Sequence, residues 1–366
     1  MTRLFRLASA IVKNRLGYIP HPSWCTYLVT YRCNARCGMC DSWRMKPGAE
    51  LTVADAAAVF KKLGPLDVVR LSGGEPFLRD DIGDLAAAIM RASNPLVLHV
   101  TTNGSMPAKV EEFATRFRSP RRLSIMVSVD GHRGVHDTNR GVDVTYDVAM
   151  DTVRRLSFLR RRLKLDISVN YTVISPQSLE DVGRVRSELA SFGVDMHVVL
   201  AYSASATYDL RLRGKRAEHL IVPTGYPLHP ALADADVTGF ISRELAIAKT
   251  MGNYFRRVGK AYYLEGLLAR LHGQPRPNPN PRCVELRSHI RIMPDGTVPV
   301  CQFNGESVGN LNTSSRDAVL GSEHAARARR WVDECTGCWA ECEVVPSAIY
   351  SGDLLLRSRR RAPFTA

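Results

Sequence analysis

The sequence predicts an α/β protein, a partial, TIM-like (β/α)6 barrel followed by a small α+β domain built on a β-hairpin. Three observations carry this. Short β-branched runs alternate with longer helical stretches between residues 26 and 202, the pattern of a parallel sheet with right-handed crossovers. Four successive runs end in polar or glycine-rich turns, as expected where reactive groups gather on one rim of a barrel. A Pro/Asn segment, "QPRPNPNPR" (274–282), then sets a second group of cysteines apart.

The runs "TYLVTYR" (26–32), "DVVRLSG" (67–73), "LVLHVTT" (96–102), "RLSIMVSVD" (122–130), "LDISVNYTVI" (165–174) and "VDMHVVLA" (194–201) read as six strands. Helices are expected near 52–63, 81–92, 107–117, 145–162 and 178–191. Six units fall short of a closed eight-stranded barrel, so an open one follows. "CNARCGMC" follows the first strand, "SGGEP" the second, "TTNG" the third and "SVDG" the fourth. Residues 203–240 show no firm period, and a helical stretch broken near Gly252 or Gly259 runs from about 238 to 273. "IMPDGTVPVC" reads as a hairpin turning at Asp295-Gly296, which would bring Cys301 beside Cys283. The expected divisions are an N-terminal helical extension (1–21), the barrel (22–202), a helical lid or linker (203–282), a second cysteine domain (283–345) and a basic tail (346–366).

At 366 residues and 45% hydrophobic, the chain is large enough for a substantial core and is not globally disordered. It has neither a membrane-spanning apolar run nor a secretory signal, so a cytoplasmic location is expected. The formal charge of +14 is spread over short basic runs without interleaved aromatics, which reads as solvated surface and not as a nucleic-acid module. The N-terminal segment is more ordered: Leu4, Leu7, Ala8, Ile11 and Val12 share one helical face and Arg3, Arg6 and Lys13 the other. It is read as a helix packed on its own domain, with contact of residues 1–16 to an anionic membrane as the alternative.

In a reducing compartment clustered cysteines favour metal or redox chemistry over disulfides. The nine fall into Cys33, Cys37 and Cys40, then Cys283, Cys301, Cys335, Cys338 and Cys342, with Cys25 alone. Three thiolates can hold three irons of a [4Fe-4S] cluster and leave the fourth iron open to a ligand. Spacing alone also allows zinc, or a closed cluster completed by Cys25 or a distant cysteine.

CxxxCxxC after the first strand, GGEP after the second and polar residues ending later strands together resemble the radical S-adenosylmethionine (radical SAM) superfamily, over about residues 22–202. The resemblance implies that Cys33, Cys37 and Cys40 ligate a [4Fe-4S] cluster whose open iron is chelated by S-adenosylmethionine. It places Met39 where adenine is met, a position commonly aromatic, and Gly73, Gly74 and Glu75 in the segment contacting the cosubstrate's amino group. Ser128 and Asp130 match positions that bind ribose hydroxyls or the methionine carboxylate, and Asn103 and Asn170 are further polar contacts. The implied chemistry is reductive cleavage to a 5′-deoxyadenosyl radical that abstracts hydrogen, fed by an electron donor such as flavodoxin or ferredoxin.

For the second group, spacing alone divides equally between a zinc ribbon and an iron-sulfur site. Behind such a barrel it resembles the SPASM and twitch auxiliary-cluster domains. Its five cysteines are fewer than the full SPASM pattern uses, which implies one auxiliary [4Fe-4S] cluster on Cys283, Cys301, Cys335 and Cys338. Cys342 is then an alternative fourth ligand or a free thiol able to return a hydrogen atom to a substrate radical.

The function expected is oxidation, epimerisation or bond formation on a small-molecule or natural-product intermediate. A ribosomal-peptide maturase is the alternative, weakened because only about 25 residues precede the first strand. A zinc-binding scaffold is the reading from a different class. Arg140 is the expected contact to an anionic substrate group, and Tyr202, Tyr208, Arg211, Arg213, Tyr262 and Tyr263 are polar groups of the expected lid.

Overall fold

Strand parity decides which side chains face the helices and which face the barrel interior. The computed structural model describes residues 3–46, 48–202, 205, 207, 226, 228–252 and 254–361. After an N-terminal helix, α1 (Arg3–Leu16), come six parallel strands: β1 (Trp24–Leu28), β2 (Val68–Ser72), β3 (Val97–Thr102), β4 (Leu123–Val129), β5 (Asp166–Val173) and β6 (Asp195–Leu200). All six expected strands form. Val69, Leu71, Leu98, Val100, Ile125, Val127, Ile167, Val169 and Val198 are buried in the main apolar core. The intervening positions carry polar groups, aligned by register as Thr26, Arg70, His99 and Ser124, and further along as Ser128, Asn170 and His197.

The crossovers are α2 (Val53–Leu63), α3 (Ile82–Ser93), α4 (Pro107–Arg116), α5 (Arg133–Arg140), α6 (Thr145–Leu163), α7 (Pro176–Glu180) and α8 (Val182–Ser191). Helix α2 starts on a capping box in which the Thr52 hydroxyl accepts from the Asp55 amide and the Asp55 carboxylate accepts from the Thr52 amide. Helix α5 was not expected, because it lacks an apolar stripe. What it buries is polar, His136 and Arg140.

After β6 come α9 (Val237–Lys249) and α10 (Tyr254–Leu271), separated near Gly252 as expected. The sheet does not end at residue 202. Strand β7 (His289–Ile292) pairs in parallel with β1, from Trp24↔His289 to Tyr27↔Ile292, and gives the order β6-β5-β4-β3-β2-β1-β7. Without it β1 would be an exposed edge, and "HIRI" supplies the main-chain partners that cover it. The turn at Asp295-Gly296 is present, with the Gly296 amide donating to the Met293 carbonyl at 3.0 Å. The hairpin lies one step later than read: β8 (Thr297–Pro299) pairs antiparallel with β9 (Ser307–Asn310), while β7 is taken by the main sheet. Four helices follow, α11 (Arg316–Leu320), α12 (Glu323–Glu334), α13 (Glu341–Tyr350) and α14 (Asp353–Arg361), so the expected tail is helical as far as residue 361.

Helix α1 is docked, as read, but on a different face. Arg6 pairs with Asp67 at 3.1 Å, the Asn14 amide donates to the Ser288 hydroxyl at 2.8 Å, and Ala10 packs with Val284 and Tyr350. Leu4, Phe5, Val12 and Leu16 remain exposed. Among the described residues no helix is long and apolar enough to cross a membrane.

Candidate functional site

The cysteine loop leaves the C-terminal end of β1. Its turn is closed by the Cys40 amide donating to the Cys37 carbonyl at 3.2 Å, and Ser42 fastens it through a 2.9 Å bond from its hydroxyl to the Tyr31 carbonyl. Two loop amides, Arg36 and Gly38, donate to the Arg140 and Asn139 carbonyls at the end of α5, at 2.7 and 3.3 Å. Burial pushes the Cys33 thiol up to about 11 and the Cys40 thiol up to about 12. Burial also raises Cys37, opposed by the nearby Arg140 guanidinium. Cys25 cannot complete this set. It is fully buried in the apolar core near the start of β1, whereas the loop follows the other end.

Gly73 and Gly74 are required by contact with the chain itself. Gly73 has φ 136°, and a Cβ there would lie 2.3 Å from the Thr30 carbonyl oxygen; at Gly74 it would lie 2.1 Å from that of Arg32. Both carbonyls belong to the segment that launches the cysteine loop, next to the turn that the resemblance assigns to the cosubstrate's amino group. The amides of Gly74 and Glu75 donate to the Thr30 and Arg32 carbonyls, each at 2.8 Å. The Glu75 carboxylate is fully buried and accepts from the Thr102 hydroxyl at 2.8 Å and the amides of Phe77 and Asn103 at 3.1 and 2.7 Å. The Asn103 side chain donates to Asn34 at 2.8 Å, tying the third turn to the cysteine loop.

Asp130 and Arg140 form the most enclosed ion pair near the loop. Arg140 Nη2 and Nε lie 2.9 and 2.7 Å from the two carboxylate oxygens of Asp130, which is 0% exposed, and Arg140 Nη1 lies 3.8 Å from Cys37 Sγ. The Asp130 amide donates to His136 Nδ1 at 3.1 Å, and burial pushes that imidazole down to about 4, so the ring is neutral. The guanidinium expected to meet an anionic substrate is therefore committed to Asp130 and Cys37, because α5 carries it back under the loop. Arg140 and Asn103 border a cleft of about 200 Å³ together with Asn34, Ser105 and His136. Met39 is half-buried on the loop, and Ser128 and Asn170 sit side by side in register on β4 and β5.

Four cysteines of the second group, Cys283, Cys301, Cys335 and Cys338, line one largely apolar pocket with Phe303 and Trp339. Four thiols around one apolar pocket fit a closed iron-sulfur cluster. Cys342 is not among its walls. Its Sγ donates to Gln302 Oε1, and Arg291 Nη2 lies 4.0 Å away. Tyr202 also binds Gln302, from the end of β6. Tyr262 and Tyr263, expected as lid contacts, instead stack on Trp339 with centroids 6.0 and 6.3 Å away, and a Cβ at Gly266 would lie 1.9 Å from that indole. Helix α10 is thus a buttress for the Cys335–Cys338 loop. Tyr208, Arg211 and Arg213 lie outside the described residues.

A buried charged network escaped the sequence reading. Glu343 on α13 accepts from Arg291 at 2.6 Å and lies 3.2 Å from His289 Nδ1, while His289 Nε2 lies 3.0 Å from the Thr26 hydroxyl and Nδ1 2.5 Å from Glu285. Burial and the neighbouring Glu343 push Glu285 up to about 8, and the two carboxylates hold His289 up near 9 against its burial. The network bolts α13 to the edge strand β7. The i, i+4 spacing of Glu285 and His289 was visible, but Glu343 comes from a remote helix.

Comparison with known proteins agrees with this geometry. Residues 27–189 match the radical SAM superfamily and residues 283–339 an iron-sulfur cluster-binding domain, SPASM. The pre-heme d1 synthase of Dinoroseobacter shibae is 30% identical over 196 residues, covering 52% of this chain and 46% of that protein. A GTP 3′,8-cyclase of Klebsiella pneumoniae is 33% identical over 153 residues, covering 36% of this chain and 45% of the relative. The chain thus spans less than half the length of these curated relatives. Among solved structures, anSMEcpe with bound AdoMet superposes with a TM-score of 0.58 at 15% identity over 93% of this chain and 96% of the other. Streptococcus suis SuiB bound to S-adenosylmethionine gives 0.58 at 14% identity over 88% and 71%.

The fold and the two matches define the class: residues 27–189 of the chain form a radical SAM domain and residues 283–339 a SPASM iron-sulfur cluster-binding domain. Its cofactors are [4Fe-4S] clusters and S-adenosylmethionine.

Proposed function

We propose that the protein abstracts hydrogen from an organic substrate held in the barrel, using one cluster on Cys33, Cys37 and Cys40 and one auxiliary cluster of the twitch kind on Cys283, Cys301, Cys335 and Cys338. When bound, the first cluster and S-adenosylmethionine supply a 5′-deoxyadenosyl radical, with the electron delivered by a flavodoxin or ferredoxin. The protein's part is to position and to exclude water. Asp130 and Arg140 hold the cysteine loop, Glu75 joins its neighbouring turns, and Ser128 and Asn170 offer hydrogen bonds to the cosubstrate. The observation that carries the reading is the division of the second group, four cysteines around one cavity and Cys342 outside it.

Cys342 is the proposed hydrogen-atom donor to the substrate radical; the thiyl radical it leaves would be restored to the thiol by one electron from the flavodoxin or ferredoxin donor and one proton from solvent. That favours a redox-neutral epimerisation over a two-electron oxidation, and product mass decides: unchanged mass with deuterium uptake from solvent supports the donor, and loss of two hydrogens refutes it. The substrate is a small molecule or a peptide; the peptide reading draws on SuiB, which was solved bound to its precursor peptide SuiA. Anaerobic reconstitution should yield a brown protein that forms 5′-deoxyadenosine, and Cys33→Ala should abolish this. A colourless zinc protein would overturn the reading. We also propose that the exposed face of α1, with Leu4, Val12 and Leu16 beside Lys13 and Arg15, rests on anionic membranes. Equal, weak binding to phosphatidylglycerol vesicles with and without residues 1–16 would refute that.

A further inference from the structure

One cation of the barrel interior, Arg70, has no acid partner among the described residues. Arg70, His99 and His197 come from β2, β3 and β6. β3 and β6 are separated in the sheet by β4 and β5, yet His99 responds to the charges of both Arg70 and His197, so the curved sheet brings all three together. Both ring nitrogens of His99 are occupied, Nδ1 by Ser124 at 3.2 Å and Nε2 by Thr101 at 3.3 Å, and burial keeps the ring neutral.

Three acids near this face of the sheet are committed to other cations. Glu343 holds Arg291, and Asp166 and Asp195 at the N-terminal ends of β5 and β6 both hold Arg256. Arg70 has no hydrogen bond or ion pair among the described residues, and its Nε is buried without a partner. An unpaired, half-buried guanidinium is costly in isolation and strongly favours a bidentate oxyanion. Its depth is also informative. Arg70 lies three residues before Gly73, roughly 10 Å along the strand from the turn expected to meet the cosubstrate, and its charge reaches Cys342.

We propose that Arg70 is the substrate-anchoring residue and that the substrate carries an oxyanion, a carboxylate or a phosphate, bound in the barrel between the cysteine loop and Cys342. This rests on the radical SAM reading of the site and names its substrate class. It makes Arg70 a specificity determinant that holds the reacting carbon between the radical source and the thiol, with no part in cluster binding.

The test uses the full-length, anaerobically reconstituted protein and three probes: inorganic phosphate, acetate and S-adenosylmethionine, each by equilibrium dialysis with labelled compound. Wild type should bind phosphate or acetate saturably, the preferred probe naming the oxyanion. Arg70→Gln should weaken that binding by about tenfold or more, and Arg70→Lys by less, because it keeps charge but not the fork. Iron content, cosubstrate affinity and uncoupled 5′-deoxyadenosine formation should stay at wild-type values in both variants. Absence of anion binding in wild type, or equal binding in Arg70→Gln, overturns the proposal. So does a variant with full iron that loses S-adenosylmethionine, which would give Arg70 to the cosubstrate. If wild type binds neither iron nor S-adenosylmethionine, it is the radical SAM reading that fails, and the two failures are distinct.

Discussion

Substitution of Asp130 separates two accounts of the same residue. As a cosubstrate contact, Asp130 would affect only S-adenosylmethionine affinity; as the partner of Arg140, it should affect the cysteine loop itself. The carboxylate is 0% exposed and Arg140 only 8%, with one hydrogen bond at 2.9 Å and a second ion-pair contact at 2.7 Å, so little solvent screens the pair. Removing one member of a buried pair leaves the other charge uncompensated and costs roughly 3–5 kcal/mol. The effect should spread, because the last carbonyls of α5 hold the Arg36 and Gly38 amides and Arg140 sits beside Cys37. Asp130→Asn keeps the shape and removes the charge. Anaerobic guanidinium unfolding of the cofactor-free protein should show the loss, and reconstitution should recover less iron at the first site. A variant within about 1 kcal/mol of wild type, with full iron and weakened S-adenosylmethionine binding, would refute the positioning role.

Other expectations follow from single contacts. Gly74→Ala drives a Cβ to 2.1 Å from backbone oxygen that cannot swing aside, so 5′-deoxyadenosine formation should be lost with the second cluster retained. Cys338→Ala should lower iron at the auxiliary site while Cys342→Ala leaves it unchanged; equal loss in both would make Cys342 a ligand. Because burial raises Cys33 and Cys40 to about 11 and 12, both are protonated at neutral pH and loading must release those protons, so apparent iron affinity should rise from pH 7 to pH 9. A flat loading curve over that range would contradict the assigned burial.

Much of the barrel was legible because its strands alternate apolar and polar residues between turn signals, and because three cysteines follow the first strand. Arg70, His99 and His197 show where that legibility stops. Each appears as a lone polar residue inside an apolar run, and its parity, opposite to the buried valines and leucines, says that it faces the interior. Only the curvature of the sheet says that they meet. Strand β7 was missed for a related reason: four residues carry too little pattern to reveal a partner at the far end of the chain. Helix α5 is held by buried His136 and Arg140, and hydrophobic periodicity does not register such anchors.

The capture of β7 changes what the second domain is. A cysteine domain attached by the linker 274–282 would be free to move against the barrel. Here its first strand continues the barrel sheet, Glu343 on α13 is bonded to Arg291 on β7, and the same Arg291 approaches Cys342. The proposed donor thiol and auxiliary ligands are therefore fixed to the strand beside β1, which itself leads into the first cysteine loop. Cys33, Cys37 and Cys40 follow β1 and Cys283 precedes its neighbour β7, so both groups border one sheet, and Arg70 lies on the strand at the other side of β1. A substrate held there meets the two sites at separations set by strand register and not by domain closure. On the proposed reading, specificity would be set by the size and charge the interior accepts.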